Sequence, residues 1–326
     1  MFFQVKDLVK SYGGKTVLDR VGFEVDRGEI VSIIGPSGVG KTTLLNIIAG
    51  LDQPDSGRLH FSEPPDKEHP VIMVFQDYVL FPNLTVFENV AFGLKVRKMP
   101  AAEVRQRVMD ILSYFQLEEK CGLYPNQLSA GQRQRVAIAR AMVVNPAMLL
   151  LDEPFANLDR NLKMQTAEFI RDTQKEFGVT TISVTHDLEE AFVMSDRVGL
   201  ILNGRLVQYD RASEVYGNPT SMEAARFLGP MNVVPPHMRE FMDMEAGVAE
   251  DFKVDEEMHV RPEALRMVRE EGAPGLVAEM AFAGHYTKYR VLLGDTAFVI
   301  FDRRTGIRVG DRVRLKIVDS SGFGED

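Results

Sequence analysis

The run Gly35-Pro36-Ser37-Gly38-Val39-Gly40-Lys41-Thr42-Thr43 limits what this chain can fold into more than any other stretch. Gly35 and Gly40, with four residues between them, precede a lysine and a hydroxyl residue, which is the pattern of a P-loop that wraps phosphate. The flanks fit that reading. Glu29 to Ile34 reads as a buried strand, and Thr42 to Ala49 as a helix that Gly50 stops. Glycines let successive amide N–H groups turn toward one anion, and the helix N-terminus adds partial positive charge. Lys41 is then placed to reach the β- and γ-phosphates, and Thr42 to hold Mg²⁺.

Composition narrows the class. The 326 residues suffice for two domains, and 45% apolar with 26% charged residues is ordinary for globular protein. A formal net charge of −9 argues against broad electrostatic binding to nucleic acid or anionic lipid. The single cysteine, Cys121, allows no internal disulfide and suits a reducing compartment. Charge at Lys6 and Asp7 comes too early for a signal-peptide core, and no apolar run approaches the roughly 20 residues of a spanning helix. The expectation is a cytosolic protein that meets a membrane only through a partner.

Phe2 to Asp26 alternates as two strands around the turn Ser11 to Lys15, on which Tyr12 lies. Its ring is either a platform for a nucleotide base or simple packing. Val71 to Phe75 reads as a compact buried strand ending at Gln76, where ligands bind in open α/β sheets. Gln76 is therefore a candidate for contact with Mg²⁺ or water. Thr85 and Glu88 have capping-box spacing, and Gly93 is expected to close that short helix. Phe75, Tyr78, Phe81, Phe87 and Phe92 exceed what a short surface helix needs, so a partner surface competes with burial for them. Pro100 opens an amphipathic helix with Val104, Val108, Ile111, Leu112 and Phe115 at helical spacing.

Ser129 and Gln132, again at capping-box spacing, stand with Gly131 before a helical run from Arg133 to Val144. A second exposed helix N-terminus is a second potential anion site, or an ordinary cap. Ala147 to Leu151 is a buried strand ending in Asp152 and Glu153. Two carboxylates there are costly unless they serve a cation or a proton transfer, so Asp152 is a candidate for Mg²⁺ and Glu153 for a general base, against surface acids that merely cap the strand end. Asn157-Leu158-Asp159 begins a long helix ended by Gly178. Thr180 to Thr185 is a strand followed by His186, a structural histidine or a γ-phosphate contact, and by a helix from Leu188 to Ser195.

In this order and spacing the pieces resemble an ABC-transporter nucleotide-binding subunit over roughly residues 1 to 230. Tyr12 resembles the family's base-stacking aromatic, Gly35 to Thr43 its Walker A loop, and Gln76 its Q-loop glutamine. Leu128 to Gln132 resembles the signature motif, Leu149 to Glu153 the end of Walker B, Ala156 to Asp159 the D-loop, and His186 the switch histidine. The resemblance implies a head-to-tail dimer in which Ser129 and Gly131 of one copy cap the γ-phosphate held by Lys41 of the other. It also implies that Glu153 activates water, that Asp152 and Thr42 hold Mg²⁺, and that His186 and Gln76 sense the γ-phosphate. Gln76 to Val86 is similar to the importer version, in which this surface receives a membrane subunit. Two departures stand out. Ala130 replaces the commoner glycine of the signature, so a right-handed backbone is expected there, and the Ser62 to Pro70 loop is short.

After Pro230 the pattern changes, and residues 231–255 read as a linker with some local structure. From 256 to 326 the chain is β-rich, with strands expected at Met258 to Val260, Leu276 to Ala283, Tyr286 to Leu293, Thr296 to Phe301 and Arg312 to Val318. His259-Val260-Arg261-Pro262-Glu263 and this strand set resemble a TOBE domain, a small OB-like barrel with a regulatory or dimer-supporting role. Arg303, Arg304, Arg308, Arg312 and Arg314 lie among acids, which argues against nucleic acid.

The fold expected is thus an α/β P-loop ABC domain, 1–230, followed by an all-β OB-like domain. The function implied is ATP hydrolysis in a homodimer beneath two transmembrane permease subunits, at the cytoplasmic face, with a solute-binding protein acting indirectly. The short C-terminal region points to a small ion or polyamine as solute. A soluble ABC ATPase would usually carry two cassettes or a coiled-coil insertion, and a silent regulatory protein would lack Glu153 or His186.

Overall fold

In the computed structural model, which describes residues 1–156, 158–245, 257–303 and 306–319, alternating apolar residues fold Phe3–Tyr12 (β1) and Lys15–Val25 (β2) into an antiparallel hairpin. The chain forms two compact units, Met1–Ala212 and Ser213–Asp326. Asn157, residues 246–255 of the expected linker, and Arg304 lie outside the described residues.

Ile30–Ile34 (β3) is buried throughout and runs through the glycine loop into Lys41–Ile48 (α1). Ser56–Phe61 (β4) returns beside β1, giving a three-stranded antiparallel sheet. There follow Val71–Val74 (β5), Val86–Val96 (α2), Ala101–Tyr114 (α3), Ala130–Met142 (α4), Met148–Asp152 (β6), Arg160–Phe177 (α5), Thr180–Thr185 (β7), Leu188–Met194 (α6), Arg197–Leu202 (β8) and Arg205–Arg211 (β9). The main sheet has the order β5-β6-β7-β3-β8-β9, parallel except for the β8–β9 pair.

Both faces of this sheet are covered. On β6, Leu149 and Leu151 enter a core built with α2, α3, α4 and α5, while Met148 and Leu150 enter another built with α1 and the β1–β2 hairpin. A side chain of this size contributes about 1.5–3 kcal/mol when fully buried. With no solvent face, β3, β6 and β7 are buried at every position, and β6 reads as a continuous apolar run up to Asp152 rather than as an alternation. Small hydroxyl residues such as Ser32 and Ser183 are buried within the strands, while the ionisable residues Asp152, Glu153 and His186 lie at the strand ends.

Several expectations change here. Gly93 does not end α2, which continues to Val96. A Cβ at Gly93 would lie 2.6 Å from Val144 Cγ1, so the glycine makes room for a neighbouring segment instead of stopping the helix. β5 is not fully buried. It is the sheet's edge strand, and only Val74 is removed from solvent. The signature helix starts earlier than Arg133, at Ala130, and neither Ala130 nor Gly131 has positive φ, as the alanine required. Asp159 caps α5 by accepting from Leu162 N at 3.0 Å, and Gly178 closes that helix in the left-handed conformation.

The second unit opens with Ala212–Gly217 (α7) and Met222–Leu228 (α8), then Asn232–Val234 (β10), Met242–Met244 (β11), Met258–Val260 (β12), Leu265–Arg269 (β13), Gly275–Phe282 (β14), Thr287–Leu293 (β15), Thr296–Asp302 (β16) and Arg312–Ile317 (β17). Its main sheet has the order β11-β17-β14-β15-β16, with β13 also paired to β17, and β10 pairs β12. The units divide after Ala212, earlier than the expected boundary at 230. The described part of the expected linker is not a linker: β10 and β11 are sheet strands, and Val234, Met238 and Met242 lie in the core of this unit. Arg261 of the TOBE-like run is buried. It donates to Ala225 O at 3.0 Å and Tyr216 O at 3.2 Å and stacks over the Tyr216 ring at 4.4 Å.

Candidate functional site

The register of the parallel strands decides where the predicted residues meet. Ile34 at the end of β3 pairs with Thr185 at the end of β7, and Asp152 at the end of β6 pairs with Val184. The chain therefore leaves three adjacent strands at one level, into the P-loop, Glu153 and His186. Gln76 lies two residues beyond Val74, which pairs with Leu151 on the edge side of β6.

The P-loop is shaped by steric need. Gly35 has φ 156°, and a Cβ there would lie 2.3 Å from Ile201 O. Gly40 has φ 110°, and its Cβ would meet Leu18 Cδ2 at 2.8 Å and Val17 O at 2.9 Å. Only glycine fits either place. Gly38, Pro36, Ser37 and Val39 complete the turn, and Val39 N bonds Pro36 O at 3.3 Å. Gly40 is also the N-cap of α1 and supplies no side-chain acceptor. The N-termini of α2 and α4, by contrast, are closed by capping boxes from Thr85 and Ser129. The first amides of α1 are thus left to an external acceptor, an anion.

Lys41 is buried and folds back over the loop, donating to Gly35 O at 2.7 Å and Pro36 O at 3.0 Å. Burial pushes its ammonium pKa down, opposed by the charges of Glu153 and Asp152. Thr42 Oγ1 donates to Asp152 Oδ1 at 3.1 Å. Burial pushes the Asp152 carboxyl up, the Thr42 bond opposes this, and the neighbouring Glu153 charge adds to it. Two adjacent carboxylates facing one buried lysine favour an added cation. A hydroxyl and a carboxylate beside a phosphate loop are hard oxygen donors of the kind Mg²⁺ accepts. The site fits that ion.

Glu153 has φ 44°, unusual for a residue with a side chain, and its N–H bonds Val184 O at 2.9 Å. Its Oε2 lies 2.9 Å from His186 Nδ1. Tyr12 is half exposed on the β1–β2 turn, with its hydroxyl donating to Asp52 and Lys10 Nζ 4.9 Å from its ring centre. That bond to Asp52 is the main reason its phenol is raised, and burial adds to it.

Some predicted residues are not gathered here. Among the described residues, no hydrogen bond or ion pair joins Ser129, Gly131, Gln132 or Asp159 to Lys41, Thr42, Asp152 or Glu153. Ser129 and Gln132 close a reciprocal box on α4, at 2.9 and 3.3 Å. A Cβ on Gly131 would lie 3.2 Å from Leu162, so this glycine also lets α5 approach α4.

Sequence reasoning missed a buried ionic cluster just behind His186. Lys163 Nζ lies 2.9 Å from Glu190 Oε1 and 3.4 Å from Asp187 Oδ2, and Thr185 donates to Glu190 at 2.7 Å. Burial raises the Glu190 carboxyl, and the bonds from Lys163 and Thr185 oppose that. Glu190 sits one helical turn from Asp187, but nothing in the sequence announces Lys163 as its partner. A cavity of about 430 Å³ lies at the opposite ends of the strands, lined by residues such as Arg27, His69, Asn145 and Thr180. It contains none of the P-loop group.

Of the aromatic set, Phe75, Phe81 and Phe92 are exposed, with Phe81 and Phe92 rings 4.5 Å apart, while Tyr78 is buried and Phe87 half-buried. Val79 and Val96 extend the exposed apolar surface.

An ABC transporter family model matches residues 18–156, and a TOBE domain model matches residues 258–323. The spermidine/putrescine import ATP-binding protein PotA of Marinobacter nauticus is 37% identical over 345 residues, covering 97% of this chain and 92% of that protein. The Fe(3+) ions import ATP-binding protein FbpC of Vibrio cholerae is 40% identical over 280 residues, covering 82% of this chain and 80% of that protein. Among solved structures, cbiO1 of Clostridium perfringens, part of the ABC transporter complex cbiONQ, gives a TM-score of 0.62 at 34% identity over 66% of this chain and 90% of its own. The dimeric post-hydrolysis cassette MJ0796 bound to ADP and Pi gives 0.57 at 34% identity over 64% of this chain and 98% of its own.

Proposed function

The chain belongs to the ABC transporter ATP-binding family and is an importer-type ATPase, and from that premise we propose how its residues divide the work. The loop Gly35 to Thr43 and Lys41 hold the β- and γ-phosphates, and Tyr12 stacks on the base. Thr42 and Asp152, with Gln76 as a further candidate ligand, would hold Mg²⁺, which when bound would neutralise charge on the phosphate oxygens. Glu153 accepts a proton from the water that attacks the γ-phosphorus as the bond to the bridging oxygen breaks and ADP leaves. His186 steadies the Glu153 carboxylate across 2.9 Å and, with Gln76, responds to the γ-phosphate. Ser129, Gly131, Gln132 and Asp159 serve the site of a second copy in a head-to-tail dimer. The dimeric MJ0796 cassette, to which this chain is similar, supports that arrangement.

Two membrane permease subunits complete the assembly, docking on the exposed Phe75, Val79, Phe81 and Phe92 surface. Among the described residues no helix is long and apolar enough to cross a membrane, and the chain is read as a peripheral subunit at the cytoplasmic face. A polyamine or a small ion such as ferric iron is the solute, which a separate binding protein delivers. The C-terminal unit regulates or supports the dimer.

The observation that carries this reading is the convergence of Thr42 and Asp152, 3.1 Å apart, at the C-terminal ends of the strands, where Lys41 and Glu153 also lie. Replacing Glu153 by Gln keeps size and polarity but removes the base. That variant is expected to bind ATP and trap a dimer while hydrolysis falls by about two to four orders of magnitude. Wild-type turnover in Glu153→Gln would sink the assignment.

A further inference from the structure

The residue after Glu153 receives an unusual share of polar contacts. The Pro154 carbonyl oxygen accepts two side-chain hydrogen bonds, from Tyr78 Oη at 3.2 Å and from Gln134 Nε2 at 2.8 Å. The donors come from different parts of the fold: Tyr78 follows β5, and Gln134 lies in the early part of α4. Both are removed from water, Tyr78 at 4% exposure and Gln134 at 0%. Burial pushes the Tyr78 phenol up to about 12, so it stays a protonated donor.

Tyr78 is itself held from behind. Tyr78 and Val79 have positive φ, 59° and 35°, a backbone that a β-branched valine strongly disfavours. Arg140, in the last turn of α4, donates to Val79 O at 2.9 Å and Tyr78 O at 3.2 Å. One helix thus supplies both Gln134, which reaches Pro154 directly, and Arg140, which fixes the segment bearing Tyr78.

The location of the shared acceptor gives this its meaning. Glu153 has φ 44°, a conformation that persists only when its surroundings over-determine it. The proline ring fixes φ of the next residue, so holding the Pro154 carbonyl holds the backbone directly after Glu153. Gln134 adds a telling detail. Among the described residues its Oε1 is buried without a hydrogen-bond partner, a stability cost that a methionine of similar shape would not carry. What the glutamine offers in return is the Nε2 bond to Pro154.

We propose that Tyr78 and Gln134 are positioning residues for Glu153, bracing its strained backbone through the Pro154 carbonyl so that the carboxylate meets the attacking water. The inference rests on the reading of Glu153 as general base. A shift of the exposed Val79–Phe81 surface would reach the carboxylate through this brace, since Arg140 and Tyr78 join the two.

The test uses the full-length protein and compares wild type with Tyr78→Phe, Gln134→Met and Glu153→Gln. It measures kcat and KM for ATP hydrolysis together with the thermal midpoint. Tyr78→Phe and Gln134→Met should each lower kcat about five- to tenfold while KM stays within about twofold. The thermal midpoint of Gln134→Met should be unchanged or higher, because the orphaned Oε1 is gone. A role in folding alone would instead lower the midpoint and leave kcat per folded molecule intact. That result, or wild-type kcat in both variants beside an inactive Glu153→Gln, would overturn the brace and leave the base assignment standing. Wild-type turnover in Glu153→Gln would instead remove the base itself, and the brace with it.

Discussion

Among the described residues, two six-stranded sheets handle polar groups in opposite ways. In the first unit β3, β6 and β7 are buried at every position, so the sheet has no face on which chemistry can sit. Ionisable side chains collect where the chain leaves the strands, and the P-loop, Asp152, Glu153 and His186 all lie at those C-terminal ends. In the second unit the strands alternate: β17 buries Val313, Leu315 and Ile317 and turns Arg312, Arg314 and Lys316 outward. Its charges are spread over a solvated face in pairs such as Arg314–Glu270, at 2.7 Å. A two-sided core concentrates ionisable groups and shifts them, as at Lys41 and Asp152, whereas a one-sided core disperses them.

The contrast can be broken most directly at the P-loop. Gly40→Ala places a Cβ within 2.9 Å of Leu18 and Val17 at φ 110°, and is expected to abolish detectable ATP binding and hydrolysis. Nucleotide titration checks this, and retained affinity would mean that the loop tolerates a different backbone. Next in size is the core of the second unit. Phe298→Ala removes a fully buried ring and should destabilise that unit by about 3–5 kcal/mol. Basal hydrolysis should stay within about twofold if the chemistry resides wholly in the first unit, and denaturant melts alongside ATPase assays read both quantities. A proportional loss of hydrolysis would show that the two units are not separable in function.

The smallest effect is expected at Asp52, where hydrogen bonds from Lys10 and Tyr12 depress the carboxyl to about 2. A depressed pKa stabilises above the unfolded value and is lost as pH falls through the folded one. Wild type should therefore lose slightly more stability than Asp52→Asn between about pH 4 and pH 2. Parallel melting curves over that window would exclude a contribution from Asp52.

Much of the first unit was legible because its signals are local. A glycine pattern, a strand ending in two acids and a capping box each declare themselves within a few residues, so Lys41, Thr42, Asp152, Glu153, Ser129 and Gln132 could be marked as candidates by reading. β8 and β9 were not anticipated, although Val198 to Leu202 is a nearly continuous apolar run. β13 was also missed, despite the alternation of Leu265 and Met267 with Arg266 and Val268. Gly93 looked like a stop because the Val144 side chain that explains it lies far along the chain. Tyr78 was counted among the aromatics, but its hydroxyl contact with Pro154 spans 76 positions, and no spacing rule covers that.

By itself, then, the sequence determined the P-loop pattern and the candidate residues around it, and the resemblance of their order to one family implied a composite site. Each of those signals depends on backbone conformation or charge within one turn or strand end. Only the tertiary structure decided that Thr42 meets Asp152, that Glu153 faces His186, and that Tyr78 and Gln134 converge on Pro154. Those meetings depend on strand register and helix packing, which bring together segments remote in sequence and fix side chains to fractions of an ångström.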